Sequence, residues 1–548
     1  VLLPLLITLL SCGQPADSGA STPLDGGADA GGADAGGADA GAGDTGGAAA
    51  PPDLVDAETL LSRASLDLRG RRPSLDELAA VAADPGAVDD LVAVMLDDPA
   101  LPERMAWLYD DAMHTALWMA DFDRFDGELQ RPLSFSEWRS MGWEPLAMVA
   151  AIVDEDRPFS DLVLAEELPT DADLASLYGT AGAPDSGWGW GSYQDERPMA
   201  GVLSSTSLWL RYNADLVNHN RRRANALSSI LLCSDFFDRD GTASFQVEGE
   251  VTDIEHAVET EPSCTSCHAA LDPLASFFGG FPEKSSNLPM AQFFGWSAFS
   301  DRWTRAGLAP AYYGVPASSL SELGALIAAD RRFARCAVTR FYEGLTDQAL
   351  AHDEAAAALV DDFVDGGMRV RPLLAEVIAS DAYRQAPLRV LRPEQLASAL
   401  QDLTGWAPGT DLDDGLTPLS WSQEHRILAG GTDDVTVLSD NGALTTANQV
   451  LQEWVGRQAA GPAVDADLAL PLAERRIVTV ESSAGEAEVR QALADLAGRA
   501  LGRVHDPEGA EVDLLFSLWL DGGGWDDWAA AWSLVLEGLI RHPDMAVH

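Results

Sequence analysis

The chain has little cysteine, almost no lysine and a shortage of positive charge. Of its 548 residues 5 are cysteine, and 35 lysines and arginines face 87 aspartates and glutamates, leaving a formal charge of −52 at pH 7. An acidic excess of that size excludes nucleic acid and anionic membrane surfaces as direct partners, since both are polyanions. Lys284 is the only lysine, which reads as coding bias or adaptation to salt rather than as function. Also missing are the Gly-x-Ser-x-Gly elbow, the His-Glu-x-x-His zinc motif, the Walker phosphate loop and the dinucleotide fingerprint. Aspartate and glutamate are too numerous for any pair to stand out as acid and base.

With so few cysteines, their spacing carries information. Two of them stand in Cys264-Thr265-Ser266-Cys267-His268, the Cys-x-x-Cys-His pattern of covalent haem attachment. The chemistry sets the spacing. Two thiols add across the two vinyl groups of one porphyrin from a single helical turn, and the adjoining imidazole then lies where it can bind iron as the proximal ligand. A structural zinc site wants four ligands, often a second Cys-x-x-Cys or a His pair, whereas Cys12, Cys233 and Cys336 are isolated. A redox dithiol wants a preceding strand in a βαβ unit; here Glu261-Pro262-Ser263 precedes the motif and Ala269-Ala270-Leu271-Asp272-Pro273 follows it. The expectation is one covalent haem c held by Cys264 and Cys267, with His268 beneath its iron and Pro273 ending or bending the helix. On the other face of the iron Met290 is the first candidate ligand, His219 and His256 are alternatives of lower potential, and an open position is the remaining arrangement.

Residues 1–11 form a short apolar run ending Leu9-Leu10-Ser11 before Cys12. The run is too short for a membrane span, which needs about 20 residues, and reads as an export signal. It resembles a bacterial lipoprotein signal in which Cys12 becomes the lipidated residue; an ordinary signal peptide with an incidental cysteine is the alternative. Either reading exports the protein, to the periplasm or the cell surface, and the first tethers it to a bilayer. Residues 13–52 are almost wholly Gly, Ala, Asp, Ser, Thr and Pro, with too little apolar surface to offset the entropy of ordering, so they are expected to be a disordered acidic linker.

The rest reads as mainly α and multidomain, with boundaries drawn at 53–195, 196–318, 319–386 and 387–548. Ser74-Leu75-Asp76-Glu77 is a capping box, and helical stretches are expected near 136–155 and 159–168. His114 reads as a core histidine. Trp188 and Trp190, set among glycines, would cap a core or pack over a flat cofactor. Arg221-Arg222-Arg223 would neutralise haem propionates or form a solvated face. Cys233 and Cys336 would pair in an oxidising compartment, joining the haem module to the helices after it, or remain two buried small side chains.

Several of these runs together resemble a family of large cytochrome-like proteins from planctomycetes and myxobacteria, built of helical domains of unknown function. They are Ser65-Leu66-Asp67-Leu68-Arg69-Gly70-Arg71-Arg72-Pro73-Ser74, Leu231-Leu232-Cys233, the haem motif with Asp272-Pro273-Leu274, Phe333-Ala334-Arg335-Cys336, and Arg392-Pro393-Glu394-Gln395-Leu396. Where the family has glycine and then glutamate after Asp-Pro-Leu, this chain has Ala275 and Ser276. The resemblance implies an exported c-type cytochrome-like lipoprotein passing electrons to an unidentified redox protein, and leaves the reaction open. A haem-dependent oxidoreductase, peroxidase-like or acting on an organic substrate, and a scaffold with structural haem are the rival readings.

Overall fold

Capped, amphipathic helices account for most of the described chain, as the spacing of its leucines, valines and alanines predicts. The computed structural model describes residues 54–118, 133–214, 219–236, 262–282, 295–296, 308–406 and 422–548, with the backbone alone for residues 262–264 and 266. The signal segment 1–12 with Cys12, the linker 13–52, His256 and Met290 lie outside these residues.

The helices sort onto two main apolar cores. The first gathers α1 (Ala57–Arg69), α2 (Leu75–Ala83), α3 (Ala87–Met95), α4 (Leu101–Met113), α5 (Phe135–Asp154), α6 (Asp161–Leu164), α7 (Ala172–Tyr178, whose leucines turn to a small third cluster), α8 (Thr206–Arg211), α9 (Arg221–Leu232), α10 (Pro262–Ala275), α11 (Leu320–Ala328), α12 (Arg331–Thr346), α13 (Glu354–Asp365), α14 (Val370–Ala379) and α15 (Asp381–Gln385). The second gathers α16 (Pro393–Thr404), α17 (Gln423–Leu428), α18 (Thr446–Leu468), α19 (Glu486–Leu501), α20 (Ala510–Asp521) and α21 (Trp528–Ile540). The first core draws on all three segments 53–195, 196–318 and 319–386. Two short antiparallel pairs complete the description: β1 (Leu168–Thr170) with β2 (Gly189–Gly191), and β3 (Ala311–Tyr312) with β4 (Val315–Pro316). No helix among the described residues is long and apolar enough to cross a membrane.

Local chemistry starts and stops these helices. Ser74 and Glu77 form the expected reciprocal cap, and Ser134 and Glu137 form a second one at α5. The helix expected to reach residue 168 stops at Leu164. Leu168 precedes Pro169, which disfavours helical backbone, and pairs in a strand instead.

α1 is buried along nearly its whole length. Leu60, Leu61, Ala64 and Leu68 enter the first core while Leu66 enters the second. Its polar side chains therefore have no water to turn to and find partners inside. Arg63 donates to the carbonyls of Tyr383 at 2.6 Å and Ala386 at 2.8 Å. Asp67 accepts from the Tyr383 hydroxyl at 2.9 Å, Arg389 at 3.0 Å and Gln395 at 3.0 Å, with Nε2 of His548 3.4 Å away. Gly70 closes the helix at φ 67°, where a side chain would be strained and a Cβ would meet Ser398 Oγ at 3.0 Å. Arg72 then reaches Ser62 Oγ and the carbonyls of Asp544 and Val547.

A disulfide joins Cys233, the left-handed cap of α9, to Cys336 in α12, closing a loop with a sequence separation of 103 residues. It ties α9, which packs on α10, to the middle of the first core.

Three outcomes are expected. Asp67→Ala leaves Arg389, Tyr383 and Gln395 facing a void and should cost about 3–5 kcal/mol in urea unfolding; a loss below about 1 kcal/mol would refute its central place. In the unreduced, unfolded protein neither Cys233 nor Cys336 should take up iodoacetamide, and Cys336→Ala should lower stability by about 2–5 kcal/mol. Burial pushes the His548 imidazole down to about 3, against about 6.5 in an unfolded chain. Between those values the unfolded state binds a proton that the folded state refuses, so stability should fall as pH drops from about 6.5 toward 3. His548→Gln should flatten that slope in thermal melts taken across the window.

Candidate haem site

α10 begins at Pro262, where a missing N–H leaves no helical bond unmade. Leu271, Leu274 and Ala275 share one face and are buried in the first core. Residues 264, 267 and 268 stand within little more than one turn at the other end, and the Cys267 and His268 side chains are half-buried. Pro273 does not end the helix, which runs to Ala275 and passes into a 3₁₀ turn at Ser276–Phe278. In the last turn a proline removes a single backbone bond, and burial of Leu274, Phe277 and Phe278 holds the chain in place.

The imidazole is gripped from its own helix. Nδ1 of His268 lies 2.9 Å from Oδ1 of Asp272, one turn on. Arg221, the first residue of α9, meets the same carboxylate with both arms of its fork: Nε donates to Oδ1 at 2.7 Å and Nη2 to Oδ2 at 2.9 Å. Burial of Asp272 opposes its charge, but the hydrogen bonds from His268 and Arg221 outweigh burial and hold the carboxyl below the usual carboxylate range. An ionised carboxylate only accepts, so Nδ1 of His268 is the donor in this pair.

The arginine run splits. Arg221 is committed to Asp272. Arg223 is 1% exposed and donates to the carbonyls of Trp209 and Pro282 and to Asn220 Oδ1; burial pushes its guanidinium down to about 9. Arg222 lines a cavity of about 600 Å³ together with Arg221, Arg340, Tyr212, His114 and Asp111. The run is thus neither a solvated face nor a uniform anion patch. Within the cavity wall Asp111 is paired with Arg392 at 2.7 Å, and Arg340 donates to the Ser229 carbonyl.

The other candidates fall in different places. His219 and Asn220 are consecutive left-handed residues, φ 53° and 62°, in the turn that delivers Arg221 to α10. His114 is the left-handed cap of α4, its Nδ1 3.6 Å from the buried carboxylate of Asp434. Trp190 sits in β2, donating to Glu155 and covered by Arg157 at 4.2 Å, and Trp188 packs on a small third core around Met141 and Leu174. Both tryptophans cap cores. Of the three candidates for the second axial position, His219 alone is among the described residues.

No group of three or more His, Cys, Asp or Glu among the described residues could hold a bare metal ion. A haem iron takes four nitrogens from its porphyrin and needs one histidine from the protein on its proximal side. A half-buried imidazole with Nδ1 already engaged, next to a half-buried thiol on the same turn, fits that requirement. Comparison of the chain with protein-family models, with curated proteins and with solved structures gives no match.

Sequence reasoning did not single out Asp272 and Arg221 as partners of His268. The signal for the first was present: His and Asp four apart on a helix face one another. Nothing local announced the second, because 51 residues separate Arg221 from Asp272.

Proposed function

We propose that this protein is an exported c-type cytochrome-like protein that binds one covalent haem and transfers electrons. On this reading Cys12 anchors it to a bacterial membrane through lipid, and an unidentified redox protein is its partner. The observation that supports it best is a Cys-x-x-Cys-His run on one helix whose histidine has its Nδ1 hydrogen-bonded to a buried carboxylate. Cys264 and Cys267 would each add sulfur and hydrogen across a vinyl group, and His268 would bind iron through Nε2. A haem so held supplies one-electron Fe(III)/Fe(II) cycling. The chain's own residues fix the helix in the first core through Leu271 and Leu274, orient the imidazole through Asp272, and offer Arg222 in a cavity beside Arg221. A formal charge of −52 favours a basic partner. The resemblance to the planctomycete and myxobacterial cytochrome-like proteins points the same way.

The cavity beside Arg221 favours one second reading, a haem-dependent oxidoreductase with room for a small substrate. Cyanide, CO and peroxide separate the two: spectra that ignore all three support the carrier, and ligation or bleaching supports the enzyme.

The deciding experiment is expression with a haem-attachment system, followed by a pyridine haemochrome spectrum, a haem-stained denaturing gel and intact mass. The expected result is a stained band whose mass exceeds that of the polypeptide by one haem. A colourless band at the bare polypeptide mass overturns the reading. Cys267→Ala should retain at most one thioether and shift the haemochrome α band.

A further inference from the structure

We propose that Asp272 is a positioning residue that sets the reduction potential of an iron bound by His268, and that Arg221 limits how far it does so. The proposal rests on the haem reading above and deepens it.

Three observations carry it. First, the Nδ1–H of His268 donates to a carboxylate rather than to a neutral carbonyl, at 2.9 Å. A charge-assisted bond of this kind moves electron density onto the imidazole, makes Nε2 a stronger donor and favours the ferric state. Second, Asp272 is 5% exposed, so its charge acts through a medium that screens far less than water. Third, Arg221 shares Oδ1 with His268 and holds Oδ2 as well, at 2.7 and 2.9 Å. The guanidinium draws on the same lone pairs and offsets the same negative charge. His268 and Asp272 are one turn apart on a packed helix, and Arg221 begins a helix whose far end is tied down by the Cys233–Cys336 disulfide. The triad is therefore held in register before any iron arrives.

A purely structural role, in which the ion pair only fastens α9 to α10, predicts a different result. Such a role would move stability and leave the iron's electronic properties alone.

The test uses the full-length holoprotein and reads two quantities: the midpoint in a redox titration and the ferric EPR g-values, which report the field of the histidine ligand. Asp272→Asn keeps an acceptor of the same shape and removes the charge. It should raise the midpoint, changing the Fe(III)/Fe(II) equilibrium at least tenfold, about 59 mV for one electron, with g-values moving away from imidazolate character. Arg221→Gln should move both quantities the opposite way, and Asp272→Glu should restore the wild-type direction. If Asp272→Asn fails to fold or to take up haem, Arg221→Gln and Asp272→Glu decide. Folded, haem-bearing variants with unshifted midpoint and g-values overturn the proposal while leaving the haem reading intact. A wild-type protein without haem overturns the haem reading itself.

Discussion

A charged helix enclosed by two apolar cores is the constraint on which the arrangement rests. α1 carries Arg63, Asp67 and Arg69 at positions that water does not reach. Taking such groups out of water is expensive, and only a fully hydrogen-bonded arrangement makes it tolerable. Apolar packing already resists displacement of α1, and its buried polar groups add direction to that resistance. Bonds from Arg63 to two carbonyls, and to Asp67 from three side chains, admit one position. Both cores take their register from that position, because Leu66 and Leu68 of the same helix enter different ones.

The register passes to α10 by direct packing. α1 packs on α4, α4 on α12, α12 on α9, and α9 on α10. The disulfide reinforces the third step and the Arg221–Asp272 pair the last. The imidazole of His268 thus stands at the end of a chain of rigid contacts rather than on a free loop. Such a placement would suit the proposed haem, since reorientation of a ligand between oxidation states adds to the barrier for electron transfer.

Much of the fold could be read from local patterns. Helical character, the Ser74–Glu77 cap and the core face of α10 depend on residues three or four apart, and such spacings are visible in a linear string. The Cys-x-x-Cys-His run is equally local. What could not be read was pairing at a distance. Arg223 read as part of a run that would neutralise haem propionates or form a solvated face, yet it is buried because carbonyls from residues 209 and 282 converge on it. The Leu-Asp-Leu-Arg-Gly-Arg-Arg run looked like a family signature without a reason. Its reason lies in Tyr383, Arg389, Gln395, Asp544 and Val547, all more than 300 positions away. Of the two outcomes Pro273 allowed, ending the helix is excluded, because burial of the residues that follow it carries the helix on to Ala275.

The scarcity of lysine gains a physical side from these pairings. Arg63 spans two carbonyls; Arg197 grips Asp195, bonds Ser204 and Thr206, and sits over the Tyr193 ring 3.5 Å from its centre; Arg426 joins Glu394 while held over the Trp107 ring at 4.9 Å. An ammonium is a point donor that is strongly hydrated and could replace none of these without losing bonds or face contact. The same property reaches the candidate site. A lysine at position 221 could neutralise Asp272 but would leave the carboxylate free to turn about its own bond. A guanidinium fork fixes both oxygens at once and with them the carboxylate plane. Since His268 donates to one of those oxygens, the plane of Asp272 selects the rotation of the imidazole, and Arg221 selects the plane.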